Sequence, residues 1–316
     1  MASSASLTAA DNPGQSKKLS LWQRFWHRTN ERAGYLFIMP SLIHVIVFLF
    51  IPLGFSLYLS FTDWRGANMQ NAPFVGIDNY TFMLNDRRFW ASLTNSAYYT
   101  LLYVPSSMVV ALFVAVILNR LKGSYFFRTL FFMPVISSWV AVSVVWITLL
   151  DPRAGILNYL LSLLGLPPVN WLGEPSNAMP TVVLISVWKN VGFLMVIWLA
   201  GLQAVPQELY EAAAIDGASR FQRFLYVTLP LLRPTTFFLT VTGIIGSFQV
   251  FSPVYVITSG GPRGATDVVV YRIYTRAFEG LDFGYASAQS WVLFLIIFGL
   301  TVVQFWYRRR NEEQVV

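Results

Sequence analysis

Residues 205–233 form a charged, amphipathic stretch of mixed sign between two long apolar segments. Within them, Glu211–Pro230 reads EAAAIDGASRFQRFLYVTLP. Pro206 suits a first helical turn, where a missing N–H leaves nothing unpaired. From Gln207 the pattern predicts a helix with Glu208 and Glu211 toward its N-terminal end, where the helix dipole favours carboxylates. Ala212, Ala213 and Ala214 keep that helix slim, so another protein could approach its backbone closely. After Asp216, Gly217 predicts a stop at positive φ. Ser219 and Gln222 stand in capping-box spacing ahead of a second short helix, with Phe221, Phe224 and Leu225 apolar and Arg220 and Arg223 polar. Leu229 follows, and Pro230 is expected to end this helix. Two helices meeting at a glycine make a rigid corner. Connections are commonly about 4–6 residues, so this longer one is expected to be a docking surface.

A second group, Trp188, Lys189, Asn190 and Phe193, lies inside an apolar window. A charge at mid-bilayer costs about 2.5–3.5 kcal/mol on insertion scales. Lys189 is therefore expected to face a bundle interior or an aqueous cavity, the alternative being that it snorkels outward. An aromatic face beside amide and ammonium donors suits a sugar, whose C–H faces stack and whose hydroxyls accept hydrogen bonds. Ser247 and Gln249 could face the same cavity, although Gln249 could equally hydrogen-bond between helices. Ser137, Ser138 and Trp139 are further candidates. With no cysteine and only His27 and His44, the chain lacks the residues for a thiolate or histidine metal site. No G-x-x-x-x-G-K-[ST] phosphate loop occurs.

The elements that position these groups are membrane helices. Of 316 residues, 55% are hydrophobic and 12% charged, whereas soluble domains carry about 25% charged residues. Windows long enough to cross a bilayer run Gly34–Thr62, Phe89–Asn119, Thr129–Leu150, Pro180–Ala204, Pro234–Pro262 and Phe283–Tyr307, predicting six transmembrane helices over a domain of residues 34–310. The termini with the second and fourth loops carry 14 Lys and Arg, against 7 in the other loops. The positive-inside rule then puts both termini and the 205–233 loop in the cytoplasm. Leu19–Arg32 predicts an interfacial amphipathic helix within a tail of residues 1–33, and residues 311–316 form a C-terminal tail. A short helix is expected over Ile156–Leu164. The net charge of +7 comes without any nucleic-acid motif, so topology explains it better than DNA or RNA.

Glu211-Ala212-Ala213, Gly217 and Val227-Thr228-Leu229-Pro230 resemble the EAA loop of ABC importer permeases, with Val227 where that pattern usually has Ile. Further phrases resemble the carbohydrate-uptake branch, similar to the first permease subunit for maltose or glycerol-3-phosphate. These are Ser60–Trp64, Phe74–Tyr80, Leu199–Leu202, Thr258–Pro262 and Phe283–Ala288, and the resemblance runs from about Tyr35 to Arg310. It implies an all-α type I importer permease fold in a bacterial or archaeal cytoplasmic membrane. It also implies a second homologous permease, two ATP-binding subunits carrying ATP and Mg, an extracytoplasmic solute-binding protein and a sugar-class solute. The EAA loop would receive the ATPases, and the segment around Trp188–Phe193 would line the sugar path. A stand-alone secondary transporter or channel is the alternative, but every Asp and Glu lies outside the expected spans. A membrane enzyme would need converging His or carboxylates, which the spans do not offer.

Overall fold

A computed structural model describes residues 35, 37–66, 72–121 and 123–312, with 311 and 312 as backbone only. The expected interfacial helix over Leu19–Arg32, Lys122 and residues 313–316 lie outside the described residues. Residues 311 and 312 continue the last helix rather than opening a tail. The chain divides into two units, Met1–Ser56 and Leu57–Val316.

The described part of the first unit belongs to helix α1 (Phe37–Leu59), whose last residues pass into the second unit. One wide π turn interrupts it at Ile46–Phe50. His44 is exposed, with its ring 4.9 Å from that of Phe48.

The regular structure of the second unit is helical, with only isolated bridge pairs and no strand among the described residues. After α2 (Asp78–Asn85), the 34-residue α3 (Arg87–Arg120) crosses as one helix despite Pro105. Membrane helices tolerate proline because neighbouring groups can satisfy the freed carbonyl. Then come α4 (Ser124–Ile136), α5 (Trp139–Leu149), the short α6 (Ile156–Leu163) and α7 (Pro175–Gln203). The corner helices are α8 (Gln207–Ile215) and α9 (Arg220–Leu231). They are followed by α10 (Arg233–Phe248), a wide helical turn at Val254–Thr258, α11 (Val269–Tyr274) and α12 (Phe283–Glu312).

Four helices (α1, α3, α7 and α12) are long and apolar enough to cross a membrane, and six spans result if each of two bent pairs counts as one. This departs from six simple helices. The expected Thr129–Leu150 helix bends by 97° between α4 and α5, because Ser137 and Ser138 are both extended there. Pro134 removes one backbone donor just before them, and serines readily leave the helical ladder. The expected Pro234–Pro262 helix ends at Phe248, and Pro253 opens a new turn, a position proline suits. α7 starts at Pro175, five residues before the expected Pro180.

α7 is the hub. Its apolar window is 61% buried, against 28% for α3 and α12. Close approach needs small residues. Ala111 and Ala115 on α3 are fully buried against the cluster of Met195, Trp198 and Leu199 on α7. A Cβ on Gly192 of α7 would lie 2.1 Å from the Phe131 carbonyl oxygen of α4.

At one end of the unit, the phrases Ser60–Trp64, Phe74–Tyr80 and Phe283–Ala288 meet. Asn79 donates to the carbonyls of Ser60 and Thr62, each at 2.9 Å. Trp64 stacks on Phe283 with centroids 4.7 Å apart. Nearby, Asp86 caps α3 by accepting from the Arg88 amide at 2.9 Å, and also accepts from the Tyr285 hydroxyl at 2.8 Å.

Candidate functional site

The corner is held by two local motifs. Gly217 takes φ 75°. Its amide donates to the Ala214 carbonyl and that of Ala218 to the Ala213 carbonyl (3.1 and 2.9 Å), the paired hydrogen bonds of a Schellman stop. Ser219 and Gln222 form the reciprocal capping box, with the Ser219 amide donating to the Gln222 side chain at 2.7 Å. A tie that the sequence reading missed joins the two helices: the Tyr210 and Thr228 hydroxyls lie 2.9 Å apart.

Glu208, Glu211, Ala212, Asp216, Gly217, Arg220 and Leu229 are exposed on this corner, while Ala213 and Pro230 are half-buried. Ile215 is 87% exposed and Phe221 71%. Pro230 does not end α9, contrary to expectation. A π turn at Phe224–Thr228 shifts the ladder just before it, with the Leu229 amide donating to the Phe224 carbonyl, so the missing N–H falls where the register already changes. The kink of 63° comes instead after Leu231.

Of the six side chains expected on the solute path, four share one cavity of about 370 Å³: Asn190, Phe193, Ser247 and Gln249. Its other walls include Tyr99, Tyr103, Trp139, Thr242 and Phe251. Tyr99 and Tyr103 stack with centroids 5.4 Å apart. Their spacing of four residues was the available signal, but it reads equally as ordinary helix packing. Gln249 and Phe193 are exposed to the cavity. Asn190 donates to the Ser186 carbonyl at 3.0 Å. Ser247 is buried and its hydroxyl bonds Thr100 at 2.9 Å, tying α10 to α3.

Trp188 and Lys189 lie elsewhere. Trp188 meets Trp146 edge to face at 5.5 Å, and lines a separate apolar groove with Met133 and Val191. Lys189 is 3% exposed, so it does not snorkel. Nor does it line the cavity. Its ammonium donates to the carbonyls of Pro134 (3.0 Å), Val135 (3.2 Å) and Ser137 (2.9 Å) at the broken end of α4. The reason is local. A helix that stops leaves its last carbonyls unpaired, and in a membrane no water is there to satisfy them.

Residues 87–315 match the family model described as "Binding-protein-dependent transport system inner membrane component". The chain belongs to this family. It is a multi-pass membrane protein, a permease component of an ABC importer, and its task is transport rather than catalysis. It is 39% identical to the probable ABC transporter permease protein YesP of Bacillus subtilis, over 91% of this chain and 95% of that one. It is 38% identical to the trehalose/maltose transport system permease protein MalF of Thermococcus litoralis, over 86% of this chain and 92% of that one. Among solved structures, a bacterial ABC transporter involved in import of the acidic polysaccharide alginate shares the fold. The TM-score is 0.81 at 24% identity, over 91% of this chain and 99% of that one.

Proposed function

We propose that the chain forms half of the translocation path for an uncharged sugar. A second permease of similar fold supplies the other half, and an external binding protein delivers the solute. Two ATP-binding subunits, which hold ATP and its Mg, dock on the α8–α9 corner. The termini and this corner then face the cytoplasm, in keeping with the Lys and Arg asymmetry of the loops.

The observation that carries the solute class is the cavity wall. It offers aromatic faces from Tyr99, Tyr103, Trp139, Phe193 and Phe251, with amides from Asn190 and Gln249, and among the described residues no Asp, Glu, Lys or Arg lines it. Desolvating an anion there would go uncompensated, and Lys189, the cation nearest in sequence, has its donors engaged elsewhere. The relatives named for trehalose/maltose and for sn-glycerol-3-phosphate bracket this choice, and the wall favours the neutral side.

The test is uptake by the reconstituted complex with its binding protein, using radiolabelled trehalose, maltose and sn-glycerol 3-phosphate. A neutral sugar should accumulate and the phosphate ester should not. Accumulation of the phosphate ester would overturn the assignment.

A further inference from the structure

A protonated lysine has three N–H donors, and Lys189 has three carbonyl partners within 3.2 Å, all from residues 134–137 at the break between α4 and α5. The other groups at this break complete the account. The Ser137 hydroxyl donates to Met133 at 3.2 Å and the Ser137 amide to Pro134 at 3.3 Å. The ammonium also sits 5.0 Å from the ring centroid of Trp139, the first residue of α5. Trp139 lines the cavity that Asn190 and Phe193 also line.

We propose that Lys189 is a positioning residue for transport: it clamps the 97° break to α7 and so holds the Trp139 ring in the cavity wall, without touching the solute. A neutral amine would offer two donors to three carbonyls, so the clamp needs the charged form. An apolar residue of the same length would leave two carbonyls with no other recorded donor at membrane depth. The clamp has little freedom to slide, because Gly192, one turn further along α7, already lets the Phe131 carbonyl come to contact distance. Clamp and wall are thus on the same turn of α7: Lys189 holds the α4–α5 break, and Asn190 and Phe193 face the cavity.

The link to transport rests on the cavity being the solute path, but the clamp itself does not, and the experiment separates them. The chain has no cysteine, so spin labels can be placed at Thr129→Cys on α4 and Thr148→Cys on α5 in the full complex. Wild-type protein should give one narrow distance distribution. Lys189→Met should broaden or shift it, and Lys189→Arg, which keeps donors and charge, should restore most of it. In fluorotryptophan-labelled protein, the fluorine resonance lost in Trp139→Phe should move in Lys189→Met. If Lys189→Met fails to insert, Lys189→Gln, with two donors, takes its place and should broaden the distribution partially.

For transport of the sugar found in the uptake panel, Lys189→Met should raise KM by about tenfold, on the order of one lost charged hydrogen bond. It should add nothing further in a Trp139→Ala background. A purely structural lysine would lower the amount of complex and leave KM and the Trp139 resonance alone. An unchanged distance distribution with an unmoved Trp139 signal overturns the clamp. A disturbed α4–α5 break with KM unchanged refutes the positioning role. A KM that answers to Asn190 or Gln249 in either case leaves the cavity assignment standing.

Discussion

Asn190, Phe193 and Gln249 present different chemistry to the same space, so each should fail differently. Removing one neutral amide from a sugar costs about 0.5–1.5 kcal/mol, or roughly two- to tenfold in apparent affinity. Gln249→Ala and Asn190→Ala should therefore raise KM for uptake by such factors. Phe193→Ala should do at least as much, because it removes a stacking face. Trp188→Phe is the built-in control: its ring packs on Trp146 in a different groove, and KM should not move. If Trp188→Phe weakens uptake as much as Gln249→Ala, the solute passes through the other groove. Sequence reasoning grouped Trp188, Lys189 and Asn190 because they are adjacent and added Phe193, one helical turn on. On a helix, adjacent residues point in different directions, and only two of the four reach the cavity.

The corner and the broken spans differ in how far they could be read in advance. Gly217, Ser219 and Gln222 write their structure into contiguous residues, so the Schellman stop and the capping box were legible in the sequence. The break at Ser137 and Ser138 was not, because a hydropathy window averages two serines away. The partner that makes the break tolerable, Lys189, comes from another helix. At the corner, a Cβ on Gly217 would meet nothing within 4 Å, so substitution there tests backbone conformation alone. A β-branched residue at φ 75° costs about 1–2 kcal/mol, whereas Asn adopts that region readily. Gly217→Val should thus reduce co-purification of the ATP-binding subunits and the rate of uptake, while Gly217→Asn keeps both near wild type. Equal behaviour of the two variants would reduce the corner to a plain connector.

The cap of α3 carries a pH signature at the opposite end of that helix from Arg120. Burial pushes the Asp86 carboxyl up, but hydrogen bonds from the Tyr285 hydroxyl and from the Arg88 and Phe89 amides, with Arg276 nearby, outweigh it and hold it below its usual value. A carboxylate with a depressed folded pKa contributes stability that is present above its unfolded value of 3.8 and is lost as pH falls through the folded value. The melting temperature of the solubilised protein should drop between about pH 5 and about pH 3. Asp86→Asn should melt lower at neutral pH and show a flatter acid limb. Parallel limbs in the two proteins would exclude Asp86 as the cause.

At the scale of the molecule, the chain has the parts of a conduit and lacks those of an engine. Its aromatic-walled cavity lies between α3, α5, α7 and α10, and the exposed corner of α8 and α9 lies between two spans. It carries no phosphate loop. On the proposed reading, a second permease supplies the cavity's other wall and the ATP-binding subunits cover the exposed corner around Ile215. The isolated chain in liposomes should therefore neither hydrolyse ATP nor move solute. The complete complex should do both, hydrolysing ATP faster when loaded binding protein is added outside. The decisive comparison is uptake by the chain alone in ATP-free liposomes under a solute or ion gradient. Accumulation there would make it a stand-alone carrier, although its described spans contain no Asp or Glu to couple an ion. If only the full complex transports, the corner's place in force transfer can be tested directly. Glu211→Lys should leave the protein in the membrane while uncoupling ATP hydrolysis from uptake, since Glu211 stands exposed on α8 with no internal partner to lose.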